Sequence, residues 1–296
     1  MSRSEQLGKV GEVAVSGGKV RYRERGDGPP LVFLHGVLVN GDLWREVVPP
    51  VADAGFRCIT PDLPIGGHEL PMDESADLTP PGLARLIVEV IDGLGLEKPI
   101  VVANDTGGAL TQIAMANQGD KLGPVVLTSC DAFENFFPPL FKYLSLTAKL
   151  PGATAMMAQT MRFKPLLRTP IAFGWLMSKP APDEITESWM APLRENAAIR
   201  RDVTKTLRAV DKKHTLAAAE KLGGFDQPVL FAWADDDRVF PRKDAERLAE
   251  ILPNARIETV QDSRVFVPED QPERLAELIV DFARTASPLA GRRTGS

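Results

Sequence analysis

The chain has 296 residues and a mass of 32.2 kDa, with 35 basic against 40 acidic side chains and a formal net charge of −5. That length suits one large core or a core with an insertion, since single hydrophobic cores stop growing near ~250–300 residues. A composition of 44% hydrophobic and 25% charged residues excludes disorder for the bulk of the chain, and the interspersed, mildly negative charge excludes the basic stripe that a phosphate backbone requires.

The first residues, Met1 to Gln6, are polar and lack the apolar core of a signal peptide, and no run reaches the ~18 apolar residues of a membrane span. A cytoplasmic protein with no membrane and no nucleic-acid partner is expected. Val20–Glu24 and Leu31–His35 flank the turn signal Gly26-Asp27-Gly28-Pro29-Pro30 and are expected to be neighbouring strands. Phe56–Thr60, Pro99–Ala103, Pro124–Ser129, Pro228–Trp233 and Arg256–Val260 are further short apolar runs. Helical spacing over Leu83–Leu94, Gly108–Gln118, Lys243–Leu252 and Pro272–Thr285 alternates with them. This alternation predicts an α/β fold with a mostly parallel sheet and helices on both faces.

The alternation breaks after Asp131. Residues 1–130 and 223–286 are expected to form the two parts of the core, 131–222 an inserted helical cap, and 287–296 a disordered tail. The insertion holds five of the eight methionines and an aromatic cluster of Phe133, Phe136, Phe137, Phe141 and Tyr143. These rings are either the insertion's own core or a greasy lid over a pocket. Cys58 and Cys130 have no spacing that supports a disulfide framework or a zinc site.

The sharpest local signal is Val101-Val102-Ala103-Asn104-Asp105-Thr106-Gly107-Gly108-Ala109, an apolar strand running through small residues and a central Asp into a helix. This is the spacing of a nucleophile elbow, in which a strained turn lifts one side chain above the sheet. Asp105 could equally be an ordinary helix N-cap. Upstream, Leu31–Val37 ends a strand in His35-Gly36. Downstream, Phe231–Pro241 ends another in the acidic turn Asp235-Asp236-Asp237.

Those three pieces, in that order around an insertion, resemble the α/β-hydrolase fold family, and most of all its aspartate-nucleophile members, the haloalkane dehalogenases and epoxide hydrolases. The resemblance spans about residues 10–285. It implies Asp105 as nucleophile, an anion-stabilising hole at the His35-Gly36-Val37 turn built from the backbone N–H groups of Val37 and Thr106, and Asp237 as the acid that orients a base. Asp235, Asp236 and Asp131 are rivals for that last role. Phe133, Phe137 and Tyr143 become candidate substrate contacts, and a small apolar molecule the expected substrate. No cofactor or metal is implied: Gly107-Gly108 lacks the spacing of a dinucleotide fingerprint.

The pattern then fails at one point. Family members carry a catalytic histidine in the loop after the last strand, where this chain has Val265, and no histidine follows His214. His35 beside the hole, His68 on a Gly-rich loop and His214 near the end of the insertion are the available substitutes, with His68 preferred for its place at the sheet's carboxyl edge. The positions at which dehalogenases hold halide are Val37 and Thr106, and Asn40 and Trp44 lie near but out of register. Tyr143 is the one candidate for an epoxide-protonating tyrosine, because Tyr22 falls in a strand. Three readings follow: covalent hydrolysis of a small apolar epoxide, alkyl halide or ester through Asp105, non-covalent acid–base chemistry by Asp105 in a lyase, isomerase or cyclase, or ligand binding without turnover. The oligomeric state stays open.

Overall fold

The computed structural model describes residues 4–286. Eight strands make one sheet: β1 (Lys9–Val15), β2 (Gly18–Arg25), β3 (Pro30–Leu34), β4 (Arg57–Pro61), β5 (Ile100–Ala103), β6 (Val125–Thr128), β7 (Val229–Ala234) and β8 (Ala255–Val260). Their spatial order is β1-β2-β4-β3-β5-β6-β7-β8, antiparallel across β1, β2 and β4 and parallel from there on. Helices α1 (Val48–Asp53), α2 (Pro80–Gly93), α3 (Thr106–Gln118), α10 (Arg242–Ile251), α11 (Val267–Asp270) and α12 (Pro272–Ala286) flank it. Between β6 and β7 lie α4 (Lys142–Thr147), α5 (Ala153–Thr160), α6 (Lys164–Leu167), α7 (Asp183–Glu195), α8 (Ala197–Ala209) and α9 (Lys213–Ala219), with no strand among the described residues. The tail expected from Ser287 onward lies outside the described residues.

The central strands β5, β6 and β7 are buried at every position, because helices cover both faces of a parallel sheet and leave no strand side for water. That is why they read in the sequence as unbroken Val, Ile, Leu and Ala runs. The edge strand β1 has polar and glycine positions facing outward, and its weak apolar signal hid it from sequence reading.

One expected pairing is corrected. β2 and β3 are not neighbours: β4 lies between them, antiparallel to β2 through Tyr22↔Pro61 and parallel to β3 through Leu31↔Cys58. The Gly26–Pro30 turn is therefore no hairpin but a step across the start of β4. Gly26 has φ +81°, and a Cβ there would stand 2.3 Å from the Phe56 carbonyl oxygen.

The chain leaves β3 toward β4 and then crosses back to β5, so the loops after β3 and β5 diverge at the carboxyl edge of the sheet. In open α/β sheets this divergence forms the crevice where ligands bind. A buried, bidentate ion pair between Arg45, after β3, and Glu269 on α11, after β8, ties the two ends of the sequence together. No helix among the described residues is long and apolar enough to cross a membrane.

Removing one partner of that pair leaves a charge stranded where it cannot be solvated. Glu269→Ala is expected to cost about 3–5 kcal/mol in urea unfolding, whereas an Arg45→Met/Glu269→Leu double replacement should recover most of the loss.

Candidate active site

Asp105 stands between β5 and α3 at φ 53°, ψ −132°, a backbone region that residues other than glycine rarely adopt. Its own N–H donates to the Ser129 carbonyl (2.9 Å), its carbonyl accepts from the Gly108 N–H (2.9 Å), and these bonds hold the turn. An ordinary N-cap has extended backbone and accepts from the second or third N–H of its helix; Asp105 has neither feature, so it is not an ordinary cap. The small neighbours are explained by contact. A Cβ on Gly36 would lie 2.0 Å from Asp105 Oδ2, and one on Gly107 would lie 2.5 Å from the His35 carbonyl oxygen.

The Asp105 carboxyl sits on the backbone N–H groups of Thr106 and Val37, the two donors inferred from the sequence. Burial nevertheless pushes it up to about 7, with the charge of Asp237 adding to the rise and the two N–H groups opposing it. Asp237 projects inward from the turn after β7, where its Oδ1 accepts from the N–H groups of Val239 (2.8 Å) and Phe240 (2.7 Å). Its Oδ2 is buried with no hydrogen-bond partner, eased only by the nearby Ser129 hydroxyl, and burial raises this carboxyl to about 6. The rivals Asp235 and Asp236 are exposed, and Asp236 pairs with Arg238 and Arg264.

Asp131 is part of the same cluster. It is fully buried, its Oδ2 accepts from the Thr106 hydroxyl (3.1 Å), and its Oδ1 has no partner. Burial, together with the charge of Asp105, lifts it well above the usual carboxylate range. Three carboxyl groups thus share one buried region, and no cation among the described residues offsets any of them. Such groups titrate as a set, holding protons that isolated aspartates would release. Among the described residues no cluster of His, Cys, Asp or Glu is arranged to hold a metal ion.

Val265 stands in the loop between β8 and α11, where the resemblance leads one to expect a histidine. It is fully buried, and its carbonyl accepts from Asn104 Nδ2 at 2.6 Å, tying that loop to the residue before the nucleophile position. None of the three histidines lines the cavity above Asp105. His35 is committed to the scaffold: Nε2 accepts from the Leu63 N–H (2.9 Å), which leaves Nδ1 to donate to the Gly36 carbonyl (2.8 Å). The expectation for His68 is corrected, since its Nε2 faces Asp202 on α8 at 3.5 Å and it does not line the cavity above Asp105. His214 is half-buried at the start of α9, which packs on α3, and burial holds it below the usual histidine range.

Above Asp105 is a cavity of about 40 Å³ whose side chains carry polar oxygen only at Asp105 and Tyr143. Val37, Phe137 and Tyr143 line it as the sequence suggested, and Tyr143 donates its hydroxyl to the Ile171 carbonyl (2.6 Å). Phe133 does not: it is buried beneath the Arg247 guanidinium, 3.8 Å from the ring centroid, because its turn at φ 48° directs the ring away. Met161, Phe173, Met190 and Phe240 are among the other wall residues. The methionine density of the insertion was the one available signal for two of them.

Comparison with known proteins agrees with this geometry. A family described as the alpha/beta hydrolase fold matches residues 29–272. Haloalkane dehalogenase 2 of Mycobacterium tuberculosis is 25% identical over 274 residues, covering 90% of this chain and 92% of that protein. The cis-3-alkyl-4-alkyloxetan-2-one decarboxylase of Shewanella oneidensis is 25% identical over 290 residues, covering 93% and 88%. Among solved structures, the haloalkane dehalogenase DatA from Agrobacterium tumefaciens C58 superimposes with a TM-score of 0.79 at 21% identity, covering 96% of this chain and all of that one, a likeness of fold.

The raised Asp105 carboxyl makes stability depend on pH in a definite direction. Below about pH 4 it is protonated folded or unfolded; from there to about pH 7 the unfolded chain ionises first and the native state loses on the order of 4 kcal/mol. Asp105→Asn is expected to raise the thermal midpoint by roughly 5 °C or more at about pH 8, with the gap closing near pH 4 in calorimetry.

Proposed function

The chain belongs to the alpha/beta hydrolase fold family, and we propose that within it the protein is an enzyme that attacks a small apolar electrophile with Asp105. The observation that carries this reading is the Asp105 carboxyl on the Thr106 and Val37 N–H groups, at the floor of a mostly apolar cavity. An alkyl halide, an epoxide or a strained ester suits such walls, which offer no side-chain cation and one tyrosine whose hydroxyl is already engaged. The dehalogenase and oxetanone-decarboxylase relatives support an electrophilic carbon as the target.

In the first step an oxygen lone pair of ionised Asp105 forms a bond to the substrate carbon. The bond to the leaving group breaks, and an ester remains on the enzyme. In the second step water attacks the ester's carboxyl carbon. The oxyanion that forms is held by the Val37 and Thr106 N–H groups, in place from the start and needing no reorganisation. Collapse expels the product alcohol and restores the carboxyl.

With Val265 in place of the family's histidine, the proton of that water has one plausible acceptor, the buried Asp237 Oδ2. A carboxylate raised to about 6 is a better base than an exposed aspartate and is largely ionised at neutral pH. It still falls short of a well-placed imidazole, so ester hydrolysis is expected to be the slow step.

A second reading is favoured by one observation: a carboxyl near 7 is well matched to donate and accept protons at neutral pH, so Asp105 would serve a lyase or isomerase with no ester to hydrolyse. Solvent deuterium in the product, with no adduct on the enzyme, distinguishes it.

Intact-protein mass spectrometry after incubation with alkyl halides, epoxides and small lactones tests the covalent reading. A single adduct on wild type is expected, absent in Asp105→Asn and accumulating in Asp237→Asn; no adduct on wild type, with turnover unchanged in Asp105→Asn, would overturn it. The rate constant for adduct formation should rise with pH through about 7, as Asp105 ionises in the free enzyme.

A further inference from the structure

The helical segment that covers the cavity has a charge and surface character unlike the rest of the chain. From Asn135 to Pro182 the sequence contains no Asp or Glu, in a chain whose net charge is −5. It carries Lys142, Lys149, Arg162, Lys164, Arg168 and Lys179, all exposed. Lys164 pairs with Asp183; the other five have no ion-pair partner among the described residues.

The same segment exposes apolar side chains. Of the six large hydrophobic residues that stand exposed among the described residues, five fall here: Leu146, Leu150, Met156, Phe163 and Ile171, between 49% and 68% accessible. Single exposed apolar residues are ordinary, but five within one short stretch, interleaved with cations, are not scatter. The packing explains why they face outward. Both α4 and α5 rest on α8, with Arg208 donating to the Ala148 carbonyl and Thr204 to the Thr154 hydroxyl, so the opposite sides of both helices are left uncovered.

We propose that this face of the 142–171 segment docks on an anionic lipid surface, its cations over the headgroups and its apolar side chains in the interfacial layer. Charge complementarity selects the partner: unpaired lysines and arginines interleaved with Leu, Met, Phe and Ile match a surface that is anionic outside and apolar just beneath. An acidic protein face would answer the cations and leave the aliphatic side chains unmatched. The protein would lie on the membrane without spanning it, so the absence of a long apolar helix among the described residues does not bear on the matter.

The position of the face also connects it to the cavity. Ile171 is both exposed and a cavity wall, and its carbonyl holds the hydroxyl of Tyr143, another wall residue. A small apolar substrate concentrated in the bilayer would meet the cavity from that side. Docking itself needs no catalysis, so it can be tested whether or not the proposed reaction is correct.

The test is co-sedimentation of the full chain with vesicles of phosphatidylcholine alone and of phosphatidylcholine mixed with phosphatidylglycerol. Binding to the mixed vesicles only, weakened by salt, is expected. A Lys142→Gln/Lys149→Gln/Arg162→Gln variant and a Leu150→Ser/Phe163→Ser variant should each lose about tenfold or more in affinity, with thermal midpoints matching wild type as the control for folding. No binding to the mixed vesicles would overturn the proposal. So would unchanged binding by the Leu150→Ser/Phe163→Ser variant, which would leave a site for polyanions in general, or a light-scattering dimer dissolved by that variant without vesicle binding, which would assign the face to a second copy.

Discussion

The Asp105 carboxyl rests on two backbone N–H groups inside otherwise apolar walls, and the arrangement of the surrounding chain follows from holding it there. The donors come from two loops that separate at the point where the strand order reverses, so the sheet topology itself brings Val37 and Thr106 to one atom. The φ of 53° that lifts the side chain is costly for an aspartate; it persists because Ser129 and Gly108 bond the turn on both sides, and Gly36 and Gly107, lacking a Cβ, leave the space the turn occupies. Strain is held locally where the carboxyl faces the cavity.

The same constraint explains the behaviour of the neighbouring carboxyls. The charge of Asp237 raises Asp105 and that of Asp105 raises Asp131, so each added negative charge is harder to hold. A buried set of this kind stores protons near neutrality. In the loop after β8, the Val265 carbonyl is tied to Asn104 and its neighbour Phe266 packs on Phe173 and Trp189. That loop is part of the apolar packing, and the Arg45–Glu269 pair ties the helix that follows it to the residues after β3.

The helical segment above the cavity serves two environments with two faces. Inward, Tyr143, Met161 and Phe173 make apolar walls; outward, cations and exposed aliphatic side chains meet the solvent. Amphipathic helices permit this division because side chains three or four positions apart share a face while intervening ones do not. The total charge of the chain averages the segment away.

Much of this protein is legible in its sequence. The strand–Asp–helix elbow at Asp105, the His35-Gly36-Val37 turn and the acidic turn at Asp237 are local patterns, since each depends on spacing within a few residues, and the gap at Val265 follows from counting along the same pattern. Aromatic density marks Phe137 and Tyr143 only as two rings of a cluster, one of which, Phe133, does not line the cavity. What needed the tertiary structure were relations between distant segments. That β4 separates β2 from β3, that Phe133 turns under Arg247, that His68 faces Asp202, and that Asp131 joins Asp105 through Thr106 all depend on contacts made only when the sheet and the helices above it are assembled. Backbone propensity and side-chain spacing act over one turn or one strand and are written in the chain; burial, the pairing of charges and the direction of a side chain are set by whatever the completed fold places beside them.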